Sequence, residues 1–133
     1  MSEAPKNPPK GRILVIDDSE LILDLTREAF TSAGYEVHTN SSWVEVNATI
    51  REKKPDLILL DLMMPSIRGE SLCEILKKSS FGRDIPIVIF STKEKDEIAR
   101  LAEKAGADGW IQKHMNRRDI IRDVDQFYER LCR

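Results

Sequence analysis

Asp56-Leu-Ile-Leu-Leu-Asp61-Leu-Met-Met-Pro65 decides the fold of this chain. Consecutive large apolar residues bounded by acids read as a strand buried on both faces, because a strand with one wet face would alternate. The run stops at Asp61 and passes into a loop punctuated by Pro65 and Gly69. Three further runs have the same form. Arg12-Ile-Leu-Val-Ile runs into Asp17-Asp18, Ile85-Pro-Ile-Val-Ile-Phe into Ser91-Thr92, and Asp108-Gly-Trp-Ile-Gln into Lys113. Parallel strands place their carboxyl ends along one edge, so these acids, the hydroxyl and the ammonium are expected to converge.

Helix-like segments separate the strands. One runs from about Ser19, a plausible N-cap, to Ala33, with Ile22, Leu25 and Ala29 on one face and Gly34 as its stop. Tyr35–Thr39 reads as a short strand. Ser41 or Ser42 is suited to cap a second helix through Lys53, with Trp43, Val44 and Ala48 facing inward. A third helix ends near Lys78, a charged fourth spans Lys93 to Ala105 before Gly106, and a fifth begins at Asn116. Five such βα units predict an α/β fold, a five-stranded parallel sheet with helices on both faces. Residues 1–10, with Pro5, Pro8 and Pro9, read as a disordered lead-in, and residues 11–133 as one domain.

Composition narrows the function. The 133 residues carry 21 basic and 23 acidic side chains, a net charge of -2. That balance does not support a large electrostatic footprint for direct binding to nucleic acid or an anionic membrane. Cys73 and Cys132 lack metal-ligand spacing and read as reduced thiols of a cytoplasmic protein. No apolar stretch approaches the roughly 20 residues of a membrane span. Neither a GxGxxG turn nor a Walker lysine loop follows the first strand.

The convergent edge has a chemistry of its own. Aspartates held together repel one another near neutral pH, and a hard divalent cation relieves that repulsion. Oxygen-only ligands point to Mg²⁺ rather than Zn²⁺. Asp61, alone at the tip of its strand, suits a nucleophile open to in-line attack. Lys113 could counter the charge of a phosphoryl group, and the Ser91 hydroxyl could hydrogen-bond one of its oxygens.

With these motifs the chain resembles the receiver domain of a two-component response regulator, over about Arg12 to Leu131. The resemblance rests on Ile-Leu-Val-Ile-Asp17-Asp18-Ser, Leu-Ile-Leu-Leu-Asp61-Leu-Met-Met-Pro65 with Gly69, Ile-Phe-Ser91-Thr92, and Ala-Asp-Gly-Trp110-Ile-Gln-Lys113. It implies the flavodoxin-like strand order 2-1-3-4-5. It also implies that Asp61 accepts phosphate from a sensor histidine kinase or phosphotransfer protein. Asp18 and Asp61 would ligate Mg²⁺ directly with the backbone carbonyl of Met63, and Asp17 would act mainly through bound water. Ser91 and Lys113 would grip the phosphoryl oxygens. Ser91 and Trp110 would form the switch, altering how the surface of the fourth helix, fifth strand and fifth helix meets a downstream protein. Such a chain catalyses only its own phosphorylation and dephosphorylation, as a monomer or weak dimer.

Departures from the family pattern are local. Lys113-His114 stands where relatives carry Lys-Pro with a cis peptide. A cis bond before a non-proline costs ~2.5–4 kcal/mol, so a trans peptide is expected there. Met63 cannot orient an attacking water, which predicts slow self-hydrolysis of the acyl phosphate, and Lys93 is placed to approach the phosphoryl group. Two other functions compete: an adaptor that ignores phosphate, and an aspartyl-phosphate hydrolase. The intact acidic set opposes the first. The adjacent Asp17-Asp18 pair, in place of Asp-x-Asp, opposes the second.

Overall fold

The computed structural model describes residues 8–65, 67–113 and 116–132. Its strands are β1 (Arg12–Ile16), β2 (Glu36–Asn40), β3 (Leu57–Asp61), β4 (Ile87–Ser91) and β5 (Gly109–Gln112). Its helices are α1 (Glu20–Ser32), α2 (Val46–Lys53), α3 (Gly69–Lys78), α4 (Lys95–Ala105) and α5 (Arg117–Cys132). The sheet order is β2-β1-β3-β4-β5 with every pairing parallel, the expected flavodoxin-like topology.

Alternation along the strands divides the apolar residues between two cores. Leu14, Ile16, Ile58, Leu60, Ile87 and Ile89 pack beneath α2, α3 and α4. Ile13, Val15, Leu57, Leu59, Val88 and Phe90 pack beneath α1 and α5. Every residue of β3 and β4 is buried, which explains their unbroken apolar spelling. Full burial of one such side chain contributes ~1.5–3 kcal/mol, so the two cores hold the strand ends at the site in a fixed order.

Local chemistry sets the boundaries. Ser19 caps α1, its hydroxyl accepting the Ile22 N–H at 3.3 Å. Gly34 follows at φ 103°, a left-handed conformation that other residues resist. Pro86 lacks an N–H, so β4 starts one residue later, at Ile87, while the Pro86 carbonyl still accepts the Ile58 N–H at 3.0 Å.

Two helix faces differ from the sequence expectation. Trp43–Glu45 forms a single 3-10 turn ahead of α2, and Ser42 makes no side-chain cap bond there. That tighter turn shifts the phase, so Val46 and Ile50 point inward while Trp43, Val44 and Ala48 face outward. In α1 the buried face is Leu23, Thr26, Ala29 and Phe30, leaving Leu25 exposed. No helix among the described residues is long and apolar enough to cross a membrane.

Candidate functional site

Strands β1, β3, β4 and β5 each deliver their last residue, or the one after it, to the carboxyl edge. Asp17 directly follows β1, and its N–H extends the ladder to the Asn40 carbonyl at 3.1 Å. Asp61 ends β3, opposite Phe90 in register. Ser91 ends β4 opposite Gln112, and the Lys113 N–H donates to the Ser91 carbonyl at 2.7 Å. The four side chains are therefore set by main-chain pairing. Gly69 completes the arrangement: a Cβ there would lie 2.3 Å from the Asp61 carbonyl oxygen. Only a residue without a side chain lets the start of α3 close against the end of β3.

Carboxylate oxygens of Asp17, Asp18 and Asp61 lie within 4.8 Å of one another. The Lys113 ammonium sits 2.7 Å from Asp17 Oδ2 and 3.2 Å from Asp61 Oδ1. Asp17 and Asp61 are buried, whereas Asp18 opens to solvent. Burial raises the Asp61 pKa above the ordinary carboxylate value, and the Asp17 charge adds to the rise. Lys113 and the Met63 N–H, which bonds the carboxylate, oppose this shift without overcoming it.

Asp17 shows the same excess of negative charge in its hydrogen bonds. Its Oδ1 accepts the Ser19 N–H at 3.0 Å. Its buried Oδ2, although close to Lys113, meets no donor in hydrogen-bonding alignment among the described residues. Three carboxylates facing one lysine suit Mg²⁺, which takes oxygen ligands and adds positive charge.

Asp17, Asp18, Asp61 and Lys113 thus meet as the sequence predicted. Ser91 is fully buried at the neighbouring strand end, its hydroxyl accepting the Lys93 N–H at 3.2 Å. Met63 leaves its side chain exposed and meets Asp61 through its N–H. Trp110 packs half-buried against the core beneath α4. The Lys93 ammonium rests on Glu97 Oε1 at 3.2 Å, on the first turn of α4. His114 and the Lys113–His114 peptide lie outside the described residues.

Two features escaped the sequence. Gln112 Nε2 donates to the Lys93 carbonyl at 2.9 Å, tying the β4–α4 loop to β5. An amide at a strand end carries no signal of such a bond. Trp43, with Asp18, Ser41, Ser42, Met64 and Pro65, lines a cleft of about 170 Å³ beside the acids. Its outward position follows from the 3-10 turn, which the spelling does not announce.

A doubly wound five-stranded sheet carrying this acidic edge defines a signalling receiver class. The family model for the response regulator receiver domain matches residues 13–125, and the chain belongs to that family, whose members act in phosphorylation-dependent two-component signalling. It is 34% identical over 109 residues to the phosphate regulon transcriptional regulatory protein PhoB of Pseudomonas aeruginosa, covering 82% of this chain and 48% of PhoB. It is 32% identical over 130 residues to the transcriptional regulatory protein BaeR of Escherichia coli, covering 98% of this chain and 53% of BaeR. The chain thus spans about half the length of the curated relatives it matches. Chemotaxis response regulator CheY4 of Vibrio cholerae superposes with a TM-score of 0.79 at 26% identity, covering 87% of this chain and 97% of CheY4. A CheY-like receiver domain protein of Methanospirillum hungatei gives 0.79 at 28% identity, covering 91% of this chain and 95% of its own.

Proposed function

We propose that Asp61 accepts a phosphoryl group from a phosphohistidine on a sensor histidine kinase or phosphotransfer protein, and that this switches binding to a downstream protein. The receiver domain is taken as residues 11–133. One observation carries the reading: a single buried carboxylate ends the central strand, flanked by two further acids and touched by Lys113.

Asp18, Asp61 and the Met63 carbonyl would hold Mg²⁺, with Asp17 acting through bound water. Bound there, the ion supplies positive charge that offsets the carboxylates and the oxygens of the incoming group. An Asp61 oxygen attacks phosphorus, the P–N bond breaks, and its electron pair leaves with the imidazole. Lys113, already beside Asp61, meets a phosphoryl oxygen. The Ser91 hydroxyl, whose lone pair is engaged by the Lys93 N–H, keeps its proton to donate to another.

Ser91 and Trp110 form the switch, which biases two arrangements of the surface made by α4, β5 and α5. That surface holds a groove of about 260 Å³ lined by Lys95, Trp110, Gln112, Arg122, Asp123 and Phe127 among others. The domain thus catalyses only its own phosphorylation and dephosphorylation.

Intact-protein mass spectrometry after incubation with acetyl phosphate and Mg²⁺ tests the reading. Wild type gains one phosphoryl group and Asp61→Asn gains none. A wild-type mass that stays unchanged with both a small phosphodonor and a phosphohistidine protein defeats it.

A further inference from the structure

We infer that Gln112 is a positioning residue for Ser91, setting the rotamer of its hydroxyl through the Lys93 main chain; this rests on the phosphorylation reading above. Three hydrogen bonds join the ends of β4 and β5. The Lys113 N–H donates to the Ser91 carbonyl at 2.7 Å. The Gln112 carboxamide donates to the Lys93 carbonyl at 2.9 Å, and the Lys93 N–H donates to Ser91 Oγ at 3.2 Å. Together they close a ring in which Gln112 fixes Lys93, and Lys93 fixes the serine.

The chemistry gives the ring a direction. A serine hydroxyl has one proton and two acceptor lone pairs. With one lone pair taken by the Lys93 N–H, the oxygen is held while the proton stays available. Ser91 is a β4 residue with a fully buried side chain, so its main chain has little freedom. The residues after it, Thr92 to Glu94, lie between β4 and α4, and Lys93 is held there by side-chain bonds, its N–H to Ser91 Oγ and its carbonyl to Gln112 Nε2. Gln112 supplies such a bond from the neighbouring strand, and Ser91 faces it in register. Trp110 lies two residues earlier on β5, so Gln112 and Trp110 point to the same side of the sheet, beneath α4. The clip therefore joins the hydroxyl proposed to grip phosphate to the strand that carries the proposed switch aromatic.

Gln112→Met keeps the length of the side chain and removes the donor. Acetyl phosphate labelling with Mg²⁺ is followed for wild type, Gln112→Met, Ser91→Ala and the double variant, alongside thermal unfolding and amide exchange at Lys93. Gln112→Met is expected to label about fivefold more slowly, the effect of one neutral hydrogen bond, and to exchange the Lys93 amide faster. In the Ser91→Ala background the same substitution is expected to change labelling by less than about twofold, because its route runs through the serine. Gln112→Leu, read the same way, replaces the Met variant if that variant unfolds. If wild type labels and Gln112→Met matches or exceeds it, the inference is overturned while the phosphorylation reading stands. An equal slowing with and without the Ser91 hydroxyl also overturns it. A wild type that takes no phosphate removes the reading and the inference together.

Discussion

The two ends of this sheet treat their acids in opposite ways, those at one end being largely open to solvent and two of those at the other buried. At the amino edge Asp56, Asp108 and Asp125 each have partners. Asp56 Oδ2 accepts the Arg12 N–H at 2.8 Å. Asp108 Oδ2 accepts the Ile87 N–H at 2.8 Å and pairs with Lys77 at 2.7 Å. Asp125 accepts the Tyr35 hydroxyl at 2.5 Å and lies 3.6 Å from Lys10. Tyr128 donates to the Lys10 carbonyl at 2.7 Å and meets Tyr35 edge to face, joining α5 to the segment before β1. At the carboxyl edge three acids gather with one lysine, which reaches Asp17 and Asp61, and burial raises the Asp61 pKa. One edge spends its charges on stability, and the other keeps an electrostatic deficit that a cation and a phosphoryl group can fill.

Asp61→Asn breaks this contrast most strongly. Phosphorylation is expected to vanish, as read by intact mass. Without metal the variant is also expected to unfold at a higher temperature near neutral pH. The sign follows from the raised pKa: the folded state holds its Asp61 proton more tightly than the unfolded chain does. Wild type is thus favoured below the unfolded carboxylate pKa of ~3.9, and that advantage is lost as pH rises through the folded value. The stability gap between Asn variant and wild type should widen over that interval and narrow when Mg²⁺ is added.

Gly69→Ala tests whether the two edges can be damaged together. A Cβ placed 2.3 Å from the Asp61 carbonyl forces the end of β3 and the start of α3 apart. A loss of about 1–3 kcal/mol in denaturant unfolding is expected. Labelling by acetyl phosphate should fall by about tenfold or more, because small displacements of reacting groups are costly.

Tyr35→Phe sharpens the contrast from the other side. The buried ring stays, while Asp125 loses a donor and retains Lys10. A loss of about 1–2 kcal/mol is expected, with phosphorylation unchanged. A labelling rate that fell in step with stability would mean that the edges are coupled. The smallest effect is expected at Met63, whose side chain is 59% exposed beside the acids. Met63→Asn adds a polar group able to orient water and should shorten the acyl-phosphate lifetime several-fold, as followed by the decay of the phosphorylated mass. An unchanged lifetime would remove Met63 as the cause of slow hydrolysis.

How much of this was legible depended on range. The apolar spelling of Leu57–Leu60 reports burial on both faces directly, and the same holds for Ile87–Phe90. Asp17, Asp61, Ser91 and Lys113 were legible because each marks the end of such a run. Helix faces were less so. Val44 and Ala48 have the i, i+4 spacing of a buried stripe, as do Val46 and Ile50, and the 3-10 turn at Trp43 chose between them. Lys93 was drawn toward Glu97, one helical turn away, by an attraction available only once α4 begins at Lys95.

From its residues alone the chain determined where strands run, that both sheet faces are covered, and that Asp17, Asp18 and Asp61 gather at one edge. Those properties are local, since apolar runs and their polar stops are read a few residues at a time. Tertiary structure alone decided that one lysine serves both Asp17 and Asp61, that Asp17 keeps an oxygen without an aligned donor, and that Gln112 reaches the Lys93 carbonyl. These depend on which strands become neighbours and on angles between groups far apart in sequence, and no run of neighbouring residues encodes them.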